Sequence, residues 1–156
     1  MINLAQSVLE KLVEHKKRLV TAESCTGGLI AATLTDIPGS SSGLERGFVT
    51  YSNQSKADLL GVKGQTLETH GAVSAQTAEE MAAGALANSA ADIAISVTGI
   101  AGPTGGTDAK PVGTVYFGIA TRERCTHVHK IFEGTRASIR EKSLNEAFQI
   151  VLNELG

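Results

Sequence analysis

Helix-period and strand-period segments alternate along nearly the whole of this chain, and that alternation leaves few folds open to it. Leu4, Val8, Leu9, Leu12 and Val13 recur at helical spacing, and after the basic cluster His15-Lys16-Lys17 an apolar strand runs from Arg18 to Glu23. A helix follows Gly28 through Leu29-Ile30-Ala31-Ala32-Thr33-Leu34, and the loop from Ile37 to Gly43 leads into a short strand, Gly47 to Tyr51. Ser52 or Asn53 then caps a helix that ends near Gly61. Ser74 caps an alanine-rich helix through Glu79, Met81 and Leu86, which feeds the apolar strand Ile93 to Val97. Two further strands, Val112 to Thr121 and Thr126 to Phe132, form a hairpin across Arg122-Glu123-Arg124. The last helix starts near Thr135 and sends Ile139, Leu144, Phe148, Val151 and Leu152 toward the core. Such a pattern predicts an α/β fold in which helices flank a central sheet, made mixed by the hairpin. At 156 residues it suits a single domain, 1–156, with no internal repeat.

Charge and cysteine content narrow the partners. A formal net charge of −2, with both signs dispersed, lacks the basic excess that duplex nucleic acid calls for. Met1-Ile2-Asn3-Leu4-Ala5-Gln6-Ser7 has no basic region followed by an apolar run, and no later apolar segment is long enough to cross a bilayer. A cytoplasmic protein with no nucleic-acid or membrane partner is expected. Cys25 and Cys125 are therefore expected as reduced thiols.

Chemistry concentrates at two strand-to-helix junctions. In Thr21-Ala22-Glu23-Ser24-Cys25-Thr26-Gly27-Gly28-Leu29, two potential nucleophiles and two adjacent glycines sit where a buried strand becomes a helix. Free N–H groups at the helix start attract anions, and glycine lets a substrate approach the backbone. A capped turn with glycines placed for packing would have the same sequence. In Tyr51-Ser52-Asn53-Gln54-Ser55-Lys56, the tyrosine and lysine converge if Tyr51 ends the strand and Lys56 lies in the first helical turn. A desolvated lysine can be neutral near pH 7 and accept a proton from a serine, with Tyr51 relaying or donating one. Taken alone, the pair reads better as a half-buried strand residue and a solvated helix residue.

The long loop Thr98-Gly99-Ile100-Ala101-Gly102-Pro103-Thr104-Gly105-Gly106-Thr107-Asp108-Ala109-Lys110-Pro111-Val112-Gly113 follows an apolar strand, where open α/β sheets bind ligands. Its length and glycine content favour a binding or lid role. It fits neither the dinucleotide fingerprint nor the phosphate loop, because Thr107 follows Gly106 and no helix ensues. Lys110, Arg136 and Arg140 are candidates for a phosphate contact. His127 and His129 share a strand face but lack a third metal ligand nearby.

Five ordered blocks then combine: Ala22-Glu23-Ser24-Cys25-Thr26-Gly27-Gly28; Gly47-Phe48-Val49-Thr50-Tyr51-Ser52-Asn53 with Lys56; His70-Gly71-Ala72-Val73-Ser74; Gly99-Ile100-Ala101-Gly102-Pro103 through Gly105-Gly106; and Lys110-Pro111-Val112-Gly113-Thr114-Val115. Together they resemble the CinA C-terminal domain family across nearly the whole chain. The resemblance implies a three-layer α/β/α sandwich and, without the extra N-terminal domain of longer members, an amidohydrolase that converts nicotinamide mononucleotide to nicotinic acid mononucleotide and ammonia. It also implies Ser24 as nucleophile, Lys56 as proton acceptor, and Tyr51 as the residue that orients Lys56 or assists the transfer. Backbone N–H groups from Cys25, Thr26, Gly27 and Gly28 would hold the oxyanion. Asn53, Thr98, Gly99, Gly102 and Gly105 would surround the nucleotide, and Arg140 is the first choice for its phosphate. No metal or cofactor is expected, and a homo-oligomer, a dimer, is. Two other readings stay open: a cysteine amidase using Cys25, and a non-catalytic nucleotide-binding or regulatory paralogue.

Overall fold

The computed structural model describes residues 3–156; Met1 and Ile2, the first residues of the expected domain, lie outside it. Five strands, β1 (Leu19–Glu23), β2 (Leu44–Val49), β3 (Ile93–Gly99), β4 (Thr114–Ala120) and β5 (Cys125–Ile131), form one sheet in the order β2-β1-β3-β4-β5. β1 pairs in parallel with both β2 and β3, and β4 and β5 add antiparallel, so the sheet is mixed. Six α-helices cover it: α1 (Leu4–Glu14), α2 (Leu29–Thr35), α3 (Asn53–Leu60), α4 (Gly64–His70), α5 (Ala75–Ala87) and α6 (Arg136–Leu155).

Strand burial follows from position in the sheet. β1 and β3 are buried along almost their whole length, and so read as continuous apolar runs rather than alternating ones. Each face of the sheet closes its own core. Leu9 and Leu12 of α1, Ile30 and Leu34 of α2, and Ile139, Phe148 and Val151 of α6 pack with Ile93, Ile95 and Phe117. On the other face, Met81, Ala82 and Ala85 of α5 meet Leu60, Val20, Ala22 and Ala94. The result is an α/β/α sandwich, as expected. Among the described residues, no helix is long and apolar enough to cross a membrane.

Several boundaries differ from the sequence reading. β2 begins at Leu44 and ends at Val49, because its register with β1 pairs Leu19 with Leu44 and Glu23 with Val49. Tyr51 therefore lies beyond the strand. The helix α4 ends at His70, and its one buried residue, Thr66, gives it no apolar periodicity to be read by.

The connections decide where a ligand can sit. From β1 the chain crosses through α2 to β2 on one side, then returns through α3, α4 and α5 to β3 on the other side of β1. The carboxyl ends of β1 and β3 are thus a topological switch point, where the two crossovers diverge and leave a crevice.

Candidate active site

Ser24 is the first residue after β1, and its N–H donates to Val97 O at 2.9 Å, which ties it to the neighbouring strand. The turn that carries it is clamped on both sides. Glu23, wholly buried, accepts from Ile30 N at 2.9 Å and Ala31 N at 3.1 Å through its two carboxylate oxygens. The anion expected at the start of α2 is therefore the chain's own side chain. From α6, which packs on the same face of the sheet as α2, Arg140 donates from Nε to Cys25 O at 3.2 Å and from Nη2 to Thr26 O at 3.0 Å. Gly27 and Gly28 have φ of 61° and 103°, a left-handed backbone that the tight entry into α2 requires. Their role is in the turn itself.

Lys56 reaches Ser24 from α3. Ser52 caps that helix by accepting from Ser55 N, which sets Lys56 one turn inside and facing the sheet. Its side chain is 1% exposed, and Nζ lies 3.0 Å from Ser24 Oγ, 2.7 Å from Thr50 O and 3.2 Å from Tyr51 O. Burial without a carboxylate partner lowers its pKa from the ordinary 10.5 to about 8. The geometry also sets how the neutral amine is oriented. Both carbonyls can only accept, so the two N–H bonds of a neutral amine point to them and its lone pair faces the Ser24 hydroxyl. Cys25, next to this pair, moves the other way: burial pushes its thiol up to about 11, so it remains protonated at neutral pH and is a poor nucleophile.

A cavity of about 350 Å³ opens in the crevice at the carboxyl ends of β1 and β3, within the size range of small-molecule sites. Of the residues the sequence reading named, Ser24, Cys25, Tyr51, Lys56, Thr98, Gly99, Gly102 and Gly105 line it. Thr98 is buried and donates to Ala72 O at 2.8 Å, tying the end of β3 to the segment before α5. Tyr51 stands at the mouth with its side chain 65% exposed; it is its backbone carbonyl, not its hydroxyl, that contacts Lys56.

Other expected contacts fall outside the wall. Thr26 is wholly buried beneath the turn, Gly27 and Gly28 face the Arg140 and Val49 side chains respectively, and Asn53 is exposed at the start of α3. Arg140 is engaged with the turn carbonyls, and Lys110 donates to His70 O at 2.7 Å, bracing the glycine-rich loop against α4. The wall instead includes Arg136, one helical turn before Arg140, together with Ala72, Val73, Ile100, Ala101 and Thr104. Ala72 and Val73 carry no chemistry in their side chains, and only their place between two helices marks them. His127 pairs with Glu79 at 2.6 Å and His129 stacks on Tyr116 with ring centroids 4.3 Å apart.

Comparison with known proteins gives this geometry its relatives. Residues 1–155 match the CinA C-terminal domain. The chain is 47% identical over 150 residues to nicotinamide-nucleotide amidohydrolase PncC of Escherichia coli, covering 96% of this chain and 91% of that protein. It is 53% identical over 144 residues to a CinA-like protein of Endomicrobium trichonymphae, covering 92% of this chain and 34% of that one. The chain spans about a third of the length of such longer curated relatives. A crystal structure of a competence/damage inducible protein from Agrobacterium tumefaciens superposes with a TM-score of 0.93 at 45% identity, covering 96% of this chain and 92% of that one.

Proposed function

The chain belongs to the CinA C-terminal domain family, and on that premise we propose that it hydrolyses the carboxamide of nicotinamide mononucleotide to nicotinic acid mononucleotide and ammonia, acting as one domain over 1–156. The observation that carries this reading is the buried Lys56 with Nζ 3.0 Å from Ser24 Oγ at the head of the cavity. The identity with the nicotinamide-nucleotide amidohydrolase of Escherichia coli supports the choice of substrate.

Neutral Lys56 takes the Ser24 hydroxyl proton as Oγ attacks the carboxamide carbon. Negative charge gathers on the amide oxygen. In the turn, Ser24 N–H donates to Val97, Gly27 N–H to Ser24 and Leu29 N–H to Thr26; of the other turn residues, Cys25, Thr26 and Gly28, only Cys25 is on the cavity wall, next to Ser24, and its N–H serves as the oxyanion donor. When the C–N bond breaks, Lys56 returns the proton to nitrogen and ammonia departs, leaving an acyl ester on Ser24. Water attacks that ester, giving a proton to Lys56, which passes it to the departing Ser24 oxygen; the acid is released. Thr50 O and Tyr51 O orient the amine throughout, and the Tyr51 hydroxyl at the cavity mouth assists the departing group.

The test is ammonia release from nicotinamide mononucleotide by the purified protein, in the presence of a chelator. Release at an undiminished rate, with free nicotinamide a poor substrate, is the expected result, because the ribose phosphate positions the amide. Nucleotide binding without ammonia release would leave the non-catalytic reading. Loss of activity in chelator, restored by a divalent ion, would sink the serine–lysine mechanism.

A further inference from the structure

The charged side chains on the cavity wall are Lys56 at its head and Arg136, and no carboxylate joins them. A cavity with cations and no acid favours a ligand that carries negative charge. Lys56 is turned to Ser24, Thr50 and Tyr51, so the charge that a ligand's distant end can meet is that of Arg136.

The two arginines of α6 stand four residues apart, on one helix face and about 6 Å from each other. Their partners divide their roles. Arg140 is joined to Cys25 O and Thr26 O and lies behind the turn. Arg136 touches the protein through Nη1, which donates to Gly102 O at 2.8 Å, and that contact sets its guanidinium against the glycine-rich loop. A guanidinium has five N–H donors in a planar fork. Nε and Nη2 of Arg136 remain as a pair suited to grip two oxygens of one phosphate.

We propose that Arg136 is the residue that recognises the phosphate of the substrate and makes the phosphorylated ribose a requirement for efficient turnover. This assignment rests on the function proposed above. It moves the phosphate contact from Arg140 to Arg136 and gives Arg140 the task of holding the nucleophile turn.

Steady-state kinetics of the wild type, R136A and R136K on nicotinamide mononucleotide and on the riboside that lacks its phosphate test it. R136A is expected to raise KM for the mononucleotide by about 10- to 100-fold, the worth of a lost charge-assisted contact, and to raise KM for the riboside by a much smaller factor. The preference for the nucleotide then collapses. R136K falls between, since lysine supplies charge without the fork. An unchanged preference in R136A, or equal loss on both substrates, overturns the proposal. Calorimetry with ribose 5-phosphate gives a readout that does not pass through turnover. A dissociation constant weakened by a similar factor supports the assignment and an unchanged one refutes it, with R136K read in its place should R136A fail to fold. Arg136-dependent binding of ribose 5-phosphate without ammonia release by the wild type would leave the anion site standing and remove the hydrolase reading. Release of ammonia with equal use of nucleotide and riboside would do the reverse.

Discussion

At the scale of single residues, the site turns on which protonation state of Lys56 its surroundings favour. A pKa of about 8 leaves about a tenth of the molecules with a neutral amine at pH 7. If that amine is the base, the rate rises with pH and levels off above an apparent pKa near 8, because only the deprotonated form can accept the Ser24 proton. K56R is then as damaging as K56A, each costing at least about 100-fold in kcat, since guanidinium keeps its proton. Near-wild-type turnover in K56R, with the same pH profile, would reduce Lys56 to an electrostatic role. A second comparison concerns the nucleophile. S24A is expected to lose at least about a thousandfold in kcat, while C25A keeps most of it, because burial holds the Cys25 thiol in its protonated form. The reverse ranking, measured by ammonia release, would install Cys25 instead. Ser24 and Lys56 were legible as candidates because residue type and junction position both pointed to them. The contact by which Tyr51 meets Lys56 was not, since a backbone carbonyl accepts a hydrogen bond whatever side chain it carries. The sequence reading put Arg140 before Arg136 for the phosphate; on one helix face, what separates the two is which partner each one meets.

Between elements, the position of Lys56 depends on how α3 docks on α5. Gly84 of α5 lies so close to the end of α3 that a Cβ there would come within 1.8 Å of Leu60 O. Alanine in a helix interior ordinarily gains about 1 kcal/mol over glycine. Here the obstacle is backbone, which no rotamer change relieves, and overpacking of this kind costs about 1–3 kcal/mol. G84A should therefore destabilise the protein to urea rather than stabilise it, and should lower kcat more than KM by shifting α3 and the amine it carries. A higher urea midpoint with unchanged kcat would mean that the two helices separate without consequence for the site. The same dependence on docking explains what could be read along the chain. Long segments with a consistent helical period, α1, α5 and α6, were plain, and so was the continuous apolar run of β3. The short α4 was hidden because it buries little, and the limits of β2 were set by pairing with β1, a partner more than 20 residues away in the chain.

For the molecule as a whole, placing a lysine beneath the sheet's carboxyl ends links the chemistry of the site to global stability, and the sign of that link can be worked out. Unfolded, Lys56 titrates near 10.5; folded, it titrates near 8 because burial disfavours the charged amine. Below pH 8 both states hold the proton, and the folded state bears the full cost of a buried charge. Between 8 and 10.5 the unfolded chain binds a proton that the folded one lacks, so stability rises with pH across this window and the cost is gone above it. The span corresponds to roughly 3 kcal/mol. K56M removes the titrating group from both states and any other ionisation cancels in the comparison. Wild type minus K56M, measured as unfolding free energy in urea, should thus be flat from pH 6 to 7.5 and climb in favour of the wild type by a few kcal/mol toward pH 10. The loss of contacts to Thr50 O and Tyr51 O in K56M shifts the whole difference without changing its slope. A flat difference through pH 10 would mean that Lys56 titrates alike in both states, and with it would go the neutral amine on which hydrolysis at Ser24 depends.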